Sequence, residues 1–147
     1  MEHITEYVLK PSSPCNCLNI RRASRATTQF YDKMLEPSGL KITQLSLLRH
    51  VKRLEPIGIS ELAKAMRIDR TTLNRNLKPL VDVGLITINP GKDPRVKEVM
   101  LSEGGKVAIE KALVFWEEAQ VAMKEYLGEE DLTVLVKLLA KLEALEQ

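Results

Sequence analysis

The residues best suited to chemistry are cations and neutral hydrogen-bonding side chains at helical spacing. Arg70, Thr71, Asn74, Arg75 and Lys78 fall within one arc at about 100° per residue, with Arg67 and Thr72 close beside them. Arginine and asparagine can pair with guanine and adenine edges in a major groove, whereas lysine, threonine and the remaining arginines suit phosphates. The same pattern also fits a merely solvated helix face, so the segment that follows decides between them. That segment carries a second cationic group, Lys92, Arg95 and Lys97. Asp93 stands two residues before Arg95, near enough for its carboxylate to hold the guanidinium in position.

A third group is Cys15-Asn16-Cys17. Two thiols near a helix N-terminus and close to Arg21 and Arg22 are placed for reaction with oxidants. A disulfide between residues i and i+2 is strained, so a bond to another subunit or a sulfenic acid is the more reasonable product. Inert thiols are nevertheless the first reading, with a redox switch as the alternative. A metal site is weaker, because C-x-C lacks the usual zinc spacing and only His3 and His50 could complete it. No metal or cofactor is expected.

The elements that must position these residues can be read from periodicity and punctuation. Ser60 reads as the N-cap of a short helix with Glu61 at its positive end and Ile59, Leu62 and Met66 facing inward. Arg67 and Ile68 form the joint to a second helix, capped by Asp69 and carrying Leu73, Leu77 and Leu80 on its inner side. Gly84 stops that helix. Leu85 to Ile88 then reads as a strand, Asn89 to Pro94 as a dense turn, and Val96 to Leu101 as a second strand. Helix, turn, helix and hairpin is the plan of a winged helix-turn-helix, in which the helix reads the major groove. The hairpin's cations would then lie along the backbone or in the minor groove.

The run Asp93-x-Arg95-x-x-x-Val99-x-Leu101-Ser102-x-x-Gly105, preceded by Gly84-Leu85-Ile86 and by Arg70-Thr71-Thr72-Leu73-Asn74-Arg75, resembles the multiple-antibiotic-resistance regulator (MarR) family. The resemblance covers nearly the whole chain, and the hairpin signature is its specific part. It implies a dimeric winged-helix transcription factor, commonly a repressor released by small phenolic ligands or by thiol oxidation. It also implies an effector pocket between the dimerising helices and the winged module, near Arg21, Tyr31 and His50. Two positions depart from the pattern. Ser102 stands where the family usually has Thr, which keeps an N-cap hydroxyl. Pro79 lies inside the recognition helix, where it removes a backbone donor and should bend the last turn.

The flanks fit the same plan. Pro11-Ser12-Ser13-Pro14 breaks the chain after a short mixed segment from Met1 to Lys10, and a helix is expected from about Cys17 to Leu35. Its Arg21, Arg22 and Arg25 are either solvated or paired with a partner subunit, or they line a pocket for a carboxylate ligand. Thr43 reads as the cap of a helix running to about Leu54, with Leu45, Leu48, Val51 and Leu54 or Leu47 inward, and Ile57 to Ile59 as a short strand against the wing. His50, mid-helix, reads as a partly buried structural histidine more readily than as a ligand contact. Beyond the hairpin, residues 102–127 form a long helix pattern closed by Gly128. The last helix is apolar over more than one stripe and needs covering on two sides. A two-fold dimer is therefore expected, with residues 1–40 and 102–147 as dimerisation helices and residues 41–101 as the DNA-binding lobe of a single mainly α domain.

Composition sets the outer bounds. The chain has 147 residues, 44% hydrophobic, a size that can bury a real core. No apolar run approaches the roughly 18 residues of a membrane span, and the N-terminus lacks the layout of a signal peptide, so a cytoplasmic protein is expected. The net charge of +2 is small, but residues 41–101 carry +6 and residues 102–147 carry −5. A basic centre suits phosphates and an acidic end suits another protein surface. An enzyme has little support, with two distant histidines and no Gly-rich phosphate loop. The expected function is a dimeric repressor on an inverted-repeat operator, released by a small aromatic or carboxylate ligand or by thiol oxidation. The alternative is an architectural DNA binder of low specificity without an effector.

Overall fold

A computed structural model describes residues 7–147, so His3 and the first part of the Met1 to Lys10 segment lie outside the described residues. Among the described residues the chain forms six α-helices and one small sheet. Helix α1 (Asn16–Leu35) passes through a 3₁₀ turn (Glu36–Ser38) to α2 (Ile42–Leu54), and strand β1 (Ile57–Gly58) leads into α3 (Ile59–Met66) and α4 (Arg70–Asp82). Strands β2 (Ile86–Pro90) and β3 (Lys97–Leu101) form the hairpin, followed by α5 (Glu103–Leu127) and α6 (Glu129–Glu143). None of these helices is long and apolar enough to cross a membrane.

The core is leucine-rich and lies where α2, α3, α4 and the sheet meet the first half of α5. Leu45, Leu47, Leu48 and Val51 of α2, Leu62 of α3, and Leu73, Leu77 and Leu80 of α4 are all buried, and so are Ile86, Val99 and Ile109. The inner stripe of α4 is the one its spacing predicts. Antiparallel pairing places the strands in the order β1-β3-β2, with Ile57 opposite Val99 and Ile86 opposite Leu101. The short strand expected at Ile57 is thus present and ties the start of α3 to the wing.

Helix ends show where local reading fails. Ser60 does not cap α3: Gly58 holds the cap position, and Ser60 lies inside the first turn. Thr43 does not cap α2 either, because the helix starts two residues earlier with Lys41 at the cap. Two N–H groups at this helix start find side chains instead: Lys41 N donates to Gln44 Oε1 of α2 itself at 3.0 Å and Ile42 N to Asp32 Oδ1 of α1 at 2.8 Å. Helix α1 begins at Asn16, one residue before expectation. Asp69 and Ser102 are caps as expected, accepting from Thr72 N and Gly105 N respectively. The hairpin departs by one or two residues at three of its four strand ends, since β2 starts at Ile86 and runs through Asn89 and Pro90, which the turn composition assigns to a loop, and β3 starts at Lys97 but ends at Leu101 as expected. Strand β2 is an edge strand, where a proline without an N–H is tolerated.

The junction between wing and α5 depends on Gly105. A Cβ there would meet Leu85 O at 2.3 Å and Leu101 Cδ1 at 2.7 Å, so only glycine lets the helix start this close to the hairpin. Ser102 Oγ donates to Gly84 O at 2.6 Å, a second tie across the same junction.

Candidate nucleic-acid interface

Helix α4 is presented by its cap and its leucines together. Asp69 accepts from Thr72 N at 2.7 Å and from Thr72 Oγ1 at 2.9 Å, which fixes the first turn. These hydrogen bonds, the backbone one first, hold the Asp69 carboxyl below its ordinary range, with Arg75 adding a smaller attraction. With Leu73, Leu77 and Leu80 packed inward, Arg70, Thr71, Asn74, Arg75 and Lys78 are all exposed. Thr72 is half-buried and its hydroxyl is engaged by the cap.

The cations differ in how they are held. Arg70 Nη1 donates to Ser60 Oγ at 3.0 Å. Lys78 Nζ lies 3.2 Å from Asp82 Oδ2, so the helix places a carboxylate against this face beyond its cap. Helix α4 continues through Pro79 to Asp82, which keeps Lys78 and Asp82 at i and i+4. Arg67 occupies the turn between α3 and α4 in the left-handed region, φ 56°. Its Nη1 sits 2.6 Å from Glu143 Oε1 near the end of α6, and that contact raises the guanidinium above its ordinary value. Arg67 is thus paired with the C-terminal helix, while its side chain stays largely exposed.

At the wing tip, the loop is closed by Gly91 N donating to Val96 O at 2.8 Å and Val96 N to Asp93 O at 2.9 Å. Asp93 grips Arg95 three ways: Oδ1 accepts from the Arg95 N at 3.0 Å and Nε at 3.2 Å, and Oδ2 from Nη2 at 3.2 Å. The side-chain contact is the larger cause of the Asp93 carboxyl being held below its ordinary range. The Arg95 side chain remains 90% exposed, oriented yet open to a partner. Lys92 and Lys97 flank it and are exposed.

The residues expected around an effector are not all brought together. His50 lines a cavity of about 440 Å³ with Ile42, Leu45, Ser46, Arg49, Arg53 and Trp116. Arg21 and Tyr31 are not among its walls. Arg21 is exposed on α1, and Tyr31 is half-buried, its hydroxyl bonded to Gln120 of α5 and made harder to ionise by burial. His50 Nδ1 lies 2.7 Å from Ser46 O, and the Arg49 guanidinium stacks over Trp116, 4.6 Å from the ring centroid. Sequence reasoning missed Arg49 and Arg53; their i, i+4 spacing beside His50 was the available signal, whereas Trp116 comes from a distant helix. Cys15 and Cys17 are exposed, Cys15 at the cap position of α1. Ser13 and Asn19 exchange hydrogen bonds of 2.8 Å that fix the chain just ahead of them.

A sequence model of the MarR family matches residues 40–93, the span from the start of α2 to the wing. The transcriptional regulator MosR of M. tuberculosis, solved in complex with DNA, is 34% identical over 90% of this chain and 99% of its own, with a TM-score of 0.77. The chain belongs to the MarR family. It is a DNA-binding transcriptional regulator of the winged-helix type, and members of this family are not enzymes. Two more distant structures share the MarR fold. A variant of E. coli MarR complexed with operator DNA is 23% identical, TM-score 0.76, over 84% of this chain and 89% of its own. BpsR of Bordetella bronchiseptica, whose DNA binding is regulated by 6-hydroxynicotinic acid, is 20% identical, TM-score 0.79, over 91% and 98%.

Proposed function

We propose that this MarR-family regulator is a homodimeric repressor that places two α4 helices in successive major grooves of an inverted-repeat operator. The observation that carries this reading is the joint exposure of the α4 edge and of an Arg95 already oriented by Asp93. Arg70, Asn74 and Arg75 are assigned to base edges, with Thr71, Lys78 and the wing residues Lys92, Arg95 and Lys97 on phosphates or in the minor groove. Thr72, Asp69 and Asp93 support these contacts by holding their neighbours. Residues 41–101 act as the DNA-binding lobe and residues 1–40 and 102–147 as the dimerisation helices of one domain. Support for the dimer comes from α6, where Val134, Leu135, Val136, Leu138, Leu139 and Leu142 are all exposed in the single chain, as is Leu145 just beyond it.

Release is assigned to a small aromatic carboxylate in the Trp116 cavity. The cavity is lined by Arg49, Arg53 and His50 with no acid among its walls, and Trp116 supplies an aromatic surface. Such a ligand acts only if it binds more tightly to one spacing of the two α4 helices than to the other. Thiol oxidation is the second route, favoured by the exposure of both Cys15 and Cys17 at the start of α1. The test is a titration of DNA from the region upstream of the gene, repeated with a panel of aromatic acids and with mild peroxide. A protected palindrome whose occupancy falls with an aromatic acid is expected. A flat preference across unrelated duplexes would mark an architectural binder instead, and a peroxide response retained by the Cys15→Ser/Cys17→Ser variant would refute the thiol route.

A further inference from the structure

We infer that Ser60 is a positioning residue for Arg70, holding the guanidinium at the mouth of the reading helix without neutralising it; this rests on α4 being the helix that meets DNA. Ser60 reads in the sequence as a cap, yet Gly58 occupies that position and no α3 backbone N–H bonds to the Ser60 hydroxyl. What the hydroxyl does instead is accept from Arg70 Nη1 at 3.0 Å across the helix-turn-helix joint.

The contact differs in kind from those of the neighbouring cations. Arg67 meets Glu143, Lys78 meets Asp82 and Arg95 meets Asp93, so each faces a formal negative charge. Asp69, the acid adjacent to Arg70, has both oxygens engaged by Thr72. A serine oxygen can accept one of the five guanidinium donors, leaving four donors and the whole positive charge for the partner. Arg70 is also the first residue of α4, the end that meets base edges in helix-turn-helix complexes. A side chain ordered before binding loses less rotamer freedom on docking, which is the source of the affinity Ser60 contributes.

The test is a double-mutant cycle in the full-length protein, using the duplex protected upstream of its own gene. Ser60→Ala is expected to weaken binding by about 3- to 10-fold, the scale of one pre-ordered side chain, and to leave thermal stability unchanged or slightly raised, since alanine is the better helix former. Ser60→Thr, which keeps the hydroxyl, is expected to bind like the wild type. In an Arg70→Ala background, Ser60→Ala should have no further effect. Equal losses in both backgrounds would overturn the inference and make Ser60 a direct contact to DNA. Full affinity of Ser60→Ala, or of Arg70→Ala alone, would also overturn it. Arg75→Ala, measured beside them, separates this failure from failure of α4 as the reading helix, because only the latter leaves that variant at full affinity.

Discussion

At the residue scale, the reading edge depends on groups whose roles can be separated. Arg75 is exposed in mid-helix and has the chemistry for a bidentate contact to guanine. Arg75→Ala should lose about 1–3 kcal/mol of operator-binding free energy and relax specificity at one base pair, as read by titration against a set of operator variants. Asp69 acts through the fold. Because its carboxyl titrates below the ordinary range when folded, its contribution is present at pH above the unfolded value of about 4 and is lost as pH falls through the lower folded value. Protection of the Thr72 amide, measured against its intrinsic exchange rate at each pH, should therefore fall below about pH 4, whereas an Asp69→Asn variant, which still caps, should show little of that acid dependence. Asp69 and the Asp93–Arg95 pair were legible in the sequence because donor and acceptor lie within three residues of each other. The contact of Arg67 with Glu143 was not, since 76 positions separate them.

At the element scale, the helices follow their apolar spacing while their ends do not follow simple rules. Leu73, at the centre of the α4 stripe, is fully buried, and Leu73→Ala should destabilise the protein by about 2–5 kcal/mol in urea unfolding. The junction of wing and α5 gives a sharper expectation. Gly105→Ala places a methyl group against Leu85 O and Leu101 and should cost about 1–3 kcal/mol, with the wing displaced and DNA affinity reduced alongside stability. Hydroxyl residues mislead at helix starts because any Ser or Thr there looks like a cap. Here α2 draws on Asp32 of another helix, and Ser60 faces Arg70. Strand β2 outran its expected end because Pro90 sits on a sheet edge, a fact no local pattern contains.

At the scale of the whole molecule, charge and greasiness are divided between different segments of the chain. The basic lobe of residues 41–101 faces outward through α4 and the wing, while α6 leaves its apolar side chains uncovered. Two charges placed in that stripe, Leu138→Glu with Leu142→Glu, should convert a dimer to monomers in sedimentation and weaken operator binding far more than half-site contacts alone would allow. A protein that sediments as a monomer before any substitution would remove the two-fold arrangement from the proposal.

The sequence by itself determined the order of the elements, the inner stripe of α4, the wing and its Asp93–Arg95 pair. Periodicity and short-range hydrogen bonding are written into neighbouring residues. Only the tertiary structure decided that Arg67 is bridged to Glu143, that Ser60 reaches Arg70, and that His50 shares a cavity with Arg49, Arg53 and Trp116 while Arg21 and Tyr31 do not. Those facts depend on how separate helices are rotated against one another. Packing of the leucine core fixes that rotation, and it leaves no trace in the spacing of the polar residues it carries into place.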